Sequence, residues 1–416
     1  MSHDESTREF HQGLLYDWNL INTEPAPEHR VEIDDETLRD GLQCPSVRQP
    51  RLDEKIEILH AMAGLGIDAA DLGYASASQH VLEDVVALLK EIQGAGLKIA
   101  PNCAGRTIGH DIYPIAEAQQ RSGVAVEAAL FLGSSPIRQT VEKWDIDFLI
   151  KTAVDAVGLA RREGLEVMFV TEDTTRADPE DLRRLYLAAI EAGASRICVA
   201  DTVGHATPWG VRSLIGFARQ LIAESGEDVK LDFHGHRDRG LDIINSLVAL
   251  SAGAHRVHGC GLGIGERVGN ACIEVLLVNL KLLGWIDTDL SSLPAYSDAV
   301  SRATDTPIAH NLAAVGEDAF RTSTGVHAAA VLKAINSGDS WLANRVYSGV
   351  PADELGREQV ITVGPMSGQA NAVAWLTRRG LECDEGSVEA IMARAKAVDH
   401  VLTDDEIYSL LGAGSE

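Results

Sequence analysis

Hydrophobic and polar positions follow a two-part rhythm along most of this chain. From about residue 30, short β-branched or apolar runs are each followed by a longer stretch whose apolar residues recur every three to four positions. The short runs are VEIDD (31–35), AADLG (69–73), KIAPN (98–102), VAVEAALF (124–131), EVMFVTED (166–173), RICVAD (196–201), VKLDFHGH (229–236) and HRVHGC (255–260). Between them lie amphipathic stretches such as DEKIEILHAMAGLG, DLRRLYLAAIEAGA and PWGVRSLIGFARQLIAES. Several end in glycine just before the next run, which marks a helix C-terminus. Eight strand–helix units in about 260 residues predict an α/β fold, a (β/α)8 TIM barrel, with an open doubly wound sheet as the alternative.

Past residue 292 the rhythm breaks. LSSLPAYSDAVSRATDTPIAHNLAAVGEDAF carries proline breaks and short helical stretches. Residues 293–416 are therefore expected to form a mainly helical C-terminal subdomain, 30–292 the catalytic barrel and 1–29 an N-terminal arm. At 45% hydrophobic residues the chain can bury a sizeable core. The net charge of −26, with no long Lys/Arg cluster, excludes a basic nucleic-acid footprint. An anionic substrate must then be held by a few placed arginines or by a metal ion. Six cysteines without CxxC spacing argue against a disulfide framework and fit a reducing cytoplasm. The polar, acidic N-terminus is not a signal peptide, and no apolar run approaches the ~20 residues of a membrane span.

A barrel collects its chemistry at the C-terminal ends of its strands. Polar groups fall there: Arg39–Asp40 after the first run, Glu172–Asp173 on the fifth, Asp201–Thr202 after the sixth, His234 and His236 ending the seventh. Residues i and i+2 of a strand share a face, so the two imidazoles form half of a divalent-metal site, or else a hydrogen-bonded surface pair. Asp40 at another strand end of the same mouth completes a His/His/carboxylate set with positions open to substrate. Neighbours on an extended strand point apart, so Arg39 is expected to meet charge developing on a substrate oxygen rather than to pair with Asp40. The glycine-rich GLGIGERVGN (261–270), with Gly263, Gly265, Glu266 and Arg267, could offer backbone N–H groups to a phosphorylated cofactor. Asn270 is a candidate amide ligand or an N-cap. His327 starts a helix and by itself reads as structural.

Five motifs in order, TLRDGLQ, ADTVG, HGHRDRG, GIGERVGN and STGVHAAAVLK, resemble the 2-isopropylmalate synthase and homocitrate synthase family. Citramalate synthase and, more distantly, hydroxymethylglutaryl-CoA lyase belong to the same metal-dependent barrel branch. The resemblance runs from about residue 30 to about 375. It implies a TIM barrel with C-terminal helical subdomains, a homodimer, and condensation of acetyl-CoA with a 2-keto acid assisted by a divalent metal (zinc, manganese or magnesium). By the same resemblance, Asp40, His234, His236 and Asn270 match the metal-binding positions, and Arg39 the arginine that stabilises enolate or alkoxide. Glu172 matches a substrate-site acid, and Thr202 and Gln43 contacts to the keto acid. Ser76 and His80 lie in LGYASASQH, where the family reads the keto acid's side chain. His327 matches a histidine of the C-terminal subdomain implicated in acid–base chemistry, and Tyr347 a tyrosine of that subdomain, both as catalytic candidates. Leu42 gives the RDGLQ form typical of the lyase, whereas GERVGN, with Ile264 near the position of the lyase cysteine, is the synthase form. The expectation is a cytoplasmic, 2-isopropylmalate synthase-like acyltransferase acting on a 2-oxoisovalerate-like acid. Its alternatives are a C–C lyase and a homocitrate- or citramalate-type synthase. The leucine-regulatory domain, and feedback inhibition through it, are expected to be absent. Neither a membrane nor a nucleic acid is expected as a partner.

Overall fold

The computed structural model describes residues 11, 13–21 and 23–412; the rest of the expected N-terminal arm lies outside the described residues. The eight short runs form eight parallel strands: β1 (Glu32–Asp35), β2 (Ala69–Asp71), β3 (Ala100–Arg106), β4 (Glu127–Gly133), β5 (Glu166–Glu172), β6 (Arg196–Asp201), β7 (Lys230–Gly235) and β8 (Arg256–Gly259). They pair in sequence order and close, β1 against β8, into a barrel rather than the open sheet. Local chemistry sets the helices between them. Ser78 and Asp145 cap helices Gln79–Ala95 and Ile146–Arg162 by accepting the N–H of Val81 and Phe148. Pro179 and Pro208 occupy the first helical position after the caps Asp178 and Thr207.

The chain divides into two compact units. The barrel unit covers 24–288 and 292–308, so helix Leu293–Thr304 belongs with the barrel, past the expected boundary at 292. Burial explains this. Tyr296 is fully buried and donates its hydroxyl to Asp35 Oδ2 at 2.5 Å. The other unit, whose described residues fall within 11–23, 289–291 and 309–412, is mainly helical, with one small sheet of β9 (Arg321–Thr322) and β10 (Val360–Ile361). Its core gathers Trp375, Leu376, Ile391 and Ile407. Here His11 stacks on Trp341, with ring centroids 4.3 Å apart. No helix among the described residues is long and apolar enough to cross a membrane.

The barrel interior departs from the apolar layers usual in this fold. Asp34, Asp232, Arg256 and His258 are all buried. Asp34 lies opposite His258, and Asp232 opposite Arg256, in the strand register. Asp232 accepts from Arg256 Nε at 2.7 Å, from Arg196 Nη1 at 2.5 Å and from His258 Nε2 at 3.0 Å. Arg256 reaches Glu127 at 2.6 Å, and Asn102 donates to both oxygens of Asp34. The period-two alternation of β1, β7 and β8 puts these charges on the inner face, and each finds a partner there.

Candidate active site

A cavity of about 250 Å³ opens in the barrel. It is walled by Glu36, Arg39, Asp40 and Gln43 from the β1 end, by Tyr74 after β2, and by His234, His236 and His258 from β7 and β8. The opposite wall is apolar: Ala104, Ala129, Phe131, Met168, Val170 and Ala200. Cys198, Glu172, Thr202, Glu266 and Arg267 complete the lining.

Residues 37–40 form a turn rather than an extension of β1, and Asp40 has helical backbone angles (φ −67°, ψ −39°). The turn overturns the expectation that Arg39 and Asp40 point apart. Arg39 Nη1 donates to Asp40 Oδ2 at 2.8 Å, Nε donates to Asp71 Oδ2 at 2.9 Å, and Nη2 donates to Glu36. Three carboxylates thus grip one guanidinium and leave two of its five N–H donors. Burial raises Asp71 to about 7 even beside Arg39. Burial also raises Asp40, but Arg39 and His236 outweigh it and hold that carboxyl below its usual range.

Asp40, His234 and His236 are buried and offer ligand atoms within 4.8 Å of one another. Burial, with His234 beside it, drives His236 down to about 4, so its imidazole is neutral, as a metal ligand requires. Asn270 donates Nδ2 to Asp40 Oδ1 at 2.7 Å, while its Oδ1 is buried with no hydrogen-bond partner. An orphaned amide oxygen beside a carboxylate and two imidazoles is a donor set that fits a divalent cation. A second trio, Glu36, His234 and His258, has the same compactness but different chemistry. Burial would lower His258, yet hydrogen bonds to Asp232 and Glu36 hold it up at about 10. With both ring nitrogens engaged by carboxylates, His258 is an imidazolium and has no lone pair for a metal.

Of the backbone N–H groups expected to cradle a phosphate at Gly263, Gly265, Glu266 and Arg267, those of Gly263 and Glu266 are engaged within the loop's own surroundings. The Glu266 N–H binds Asp40 Oδ1 at 3.2 Å, and the N–H groups of Leu262 and Gly263 are taken by Glu274 and the Cys260 carbonyl. A Cβ on Gly265 would lie 2.2 Å from Asn270 Nδ2 and 2.6 Å from Asp40 Oδ1. The glycine is there so that backbone can press against the candidate metal ligands. Arg267 is tied to Asp238 at 2.9 Å and to the Thr202 carbonyl at 2.7 Å. The Thr202 hydroxyl accepts the Asp173 N–H at 2.8 Å.

The remaining expected residues divide. Burial, with Asp173 nearby, pushes Glu172 up against the opposing pull of Arg138. Ser76 and His80 do not line the cavity. His80 begins the outer helix Gln79–Ala95 with 81% of its side chain exposed, 3.7 Å from Asp84. Leu42 is likewise outside the lining. His327 and Tyr347 belong to the helical unit, where their rings stack with centroids 4.0 Å apart. Glu36, Asp71 and His258 were not anticipated. For Glu36 and His258 the sequence signal was the alternation of charged with apolar residues in VEIDDE and RVHG, which places Glu32, Asp34 and Glu36 on one face; Asp71 in AADLG carried no such signal.

The family model described as HMGL-like matches residues 30–300. The 2-isopropylmalate synthase of Methylacidiphilum infernorum is 31% identical over 396 residues, covering 92% of this chain and 75% of its own. The homocitrate synthase of Methanopyrus kandleri is 32% identical over 371 residues, covering 88% of this chain and 87% of its own. Among solved structures, the HMG-CoA lyase of Bacillus subtilis aligns with a TM-score of 0.57 at 20% identity, over 68% of this chain and 96% of that one. This last likeness is one of fold. A family match over well over half of the chain, and relatives above 30% identity along most of it, agree with the closed barrel: the chain belongs to the HMGL-like family.

Proposed function

We propose that this protein condenses acetyl-CoA with a 2-keto acid carrying an apolar side chain, a 2-oxoisovalerate-like acid, to give a 2-isopropylmalate-type product and free CoA. The observation that carries the reading is the convergence of Asp40, His234, His236 and the orphaned Asn270 oxygen beside a gripped Arg39. Those four residues would hold a divalent ion, which supplies Lewis-acid polarisation of a keto oxygen. Arg39 cannot swing away, because Glu36, Asp40 and Asp71 hold it. Its two spare N–H donors are available to the negative charge that grows on the keto oxygen as the new C–C bond forms. In that step the acetyl methyl loses a proton, the keto oxygen gains one, and water then cleaves the thioester C–S bond. Glu172, its carboxyl raised by burial, is proposed as a proton-holding group on the cavity wall. His327 keeps the acid–base role that the resemblance implies, and Tyr347 stays a catalytic candidate beside it.

The apolar wall supports the choice of keto acid. Among the described residues, the cations lining the cavity are Arg39, Arg267 and the His258 imidazolium, and all three are committed to carboxylates. A second carboxylate on the substrate would meet Glu172 and no free cation, which disfavours 2-oxoglutarate and oxaloacetate. A thiol-trapping assay of metal-replete protein with acetyl-CoA tests this. CoA release is expected with 2-oxoisovalerate and weakly or not at all with 2-oxoglutarate. Release with no keto acid would end the reading. Acetyl-CoA formed from a 3-hydroxy-3-methylglutaryl thioester in the same assay would favour the lyase instead.

A further inference from the structure

Glu36 is the point where three charged systems of the barrel meet. Its Oε1 accepts from His258 Nδ1 at 2.7 Å. Its Oε2 lies 3.2 Å from His234 Nδ1 and also takes Arg39 Nη2. The side chain is buried, 4% exposed as a residue. Behind it, His258 leans on Asp232 at 3.0 Å, and Asp232 in turn is fixed by Arg256 and Arg196. One carboxylate therefore touches a candidate metal ligand and the arginine proposed to act on the substrate, and it is itself propped from the barrel interior.

A ring N–H of His234 held by a carboxylate leaves the other nitrogen as the lone-pair donor and fixes the plane of the ring. The same carboxylate holds one N–H of Arg39, while Arg39 holds Asp40. We propose that Glu36 is a positioning residue of this site: it sets the tautomer and orientation of His234 for a divalent ion and keeps Arg39 seated beside Asp40, with the His258–Asp232–Arg256 chain as its support. This rests on the metal-dependent reading above, and the test separates the two.

The probe is Co²⁺, added to the full-length wild type, Glu36→Gln and His258→Gln proteins. Affinity is read by chelator competition, ligand geometry by the visible absorption of bound Co²⁺, and folding by thermal unfolding. Glutamine keeps the shape of Glu36 but offers one acceptor oxygen to three donors, and its own NH₂ opposes them. Glu36→Gln is expected to weaken Co²⁺ binding about 10- to 100-fold and to alter the absorption band. It should also lower kcat for CoA release more than it raises KM for the keto acid. His258→Gln, which removes the prop and leaves Glu36, is expected to weaken binding in the same direction by a smaller factor, and it decides the matter if Glu36→Gln does not fold. Wild-type protein that binds no Co²⁺ would remove the metal reading and this proposal together. Wild-type protein that binds Co²⁺, with folded variants binding it within twofold and with an unchanged spectrum, would overturn this proposal alone.

Discussion

At the scale of single residues, Arg39 shows how much hangs on one backbone turn. An extended strand would have sent Arg39 and Asp40 to opposite faces. The turn at 37–40 brings them to 2.8 Å and adds Asp71 and Glu36 to the same guanidinium. A planar fork suits three carboxylates; an ammonium can satisfy them only as a point charge. Arg39→Lys is therefore expected to lower kcat for CoA release by about 100- to 1,000-fold, with KM for the keto acid changed far less. Steady-state kinetics on metal-replete protein checks this, and an unchanged kcat would remove Arg39 from the chemistry. That Arg39, Asp40, His234 and His236 gather in one place was legible, because they sit in short motifs at strand ends. Glu36 was not, since a glutamate beside two aspartates in VEIDDE has no local sign of what it faces.

At the scale of elements, the glycine-rich loop after β8 carries the clearest lesson. Its spacing suggested a phosphate cradle, yet the N–H groups of Glu266, Leu262 and Gly263 bind Asp40, Glu274 and the Cys260 carbonyl. Gly265, at φ +145°, has a backbone that side chains rarely adopt and lies where a Cβ would strike Asn270 and Asp40. Gly265→Ala is expected to destabilise the fold by about 1–3 kcal/mol and to weaken Co²⁺ binding at least tenfold, as Asn270 and Asp40 move apart. Urea unfolding and chelator competition measure the two effects separately. A stable variant with intact Co²⁺ affinity would show that the loop can give way. His80 lies outside the cavity lining for a local reason. It follows the cap Ser78, so it begins an outer helix and faces solvent instead of the barrel mouth.

At the scale of the whole molecule, a charged axis through the barrel links the site to stability. His258 titrates at about 10 in the fold against 6.5 unfolded. A raised folded value means its contribution is fully present below pH 6.5 and is lost as pH rises from there through about 10. The slope over that window is at most about 1.4 kcal/mol per pH unit from this group. Urea unfolding of wild-type protein from pH 6.5 to 9.5 is expected to show the decline. His258→Asn should be less stable at pH 6.5 and lose less over the same range. A wild-type profile flat across that window would mean that His258 is not an imidazolium in the fold. Buried pairs of this kind contribute little net stability, but they penalise the loss of any one partner.

The order of strands and helices was determined by sequence alone, because hydrophobic period, caps and terminal glycines act over a few residues and need no distant partner. So was the presence of a metal-type donor set at the strand ends, since HxH on a strand shares a face by geometry. Tertiary structure decided which groups those residues meet. Closure of β1 against β8 brings Glu36 to His258, and the turn after β1 carries Arg39 onto Asp71, 32 positions further along the chain. It also decided the interior. The charges of β1, β7 and β8 read locally as interruptions of apolar runs, and only the closed barrel supplies the opposite charge that makes their burial tolerable.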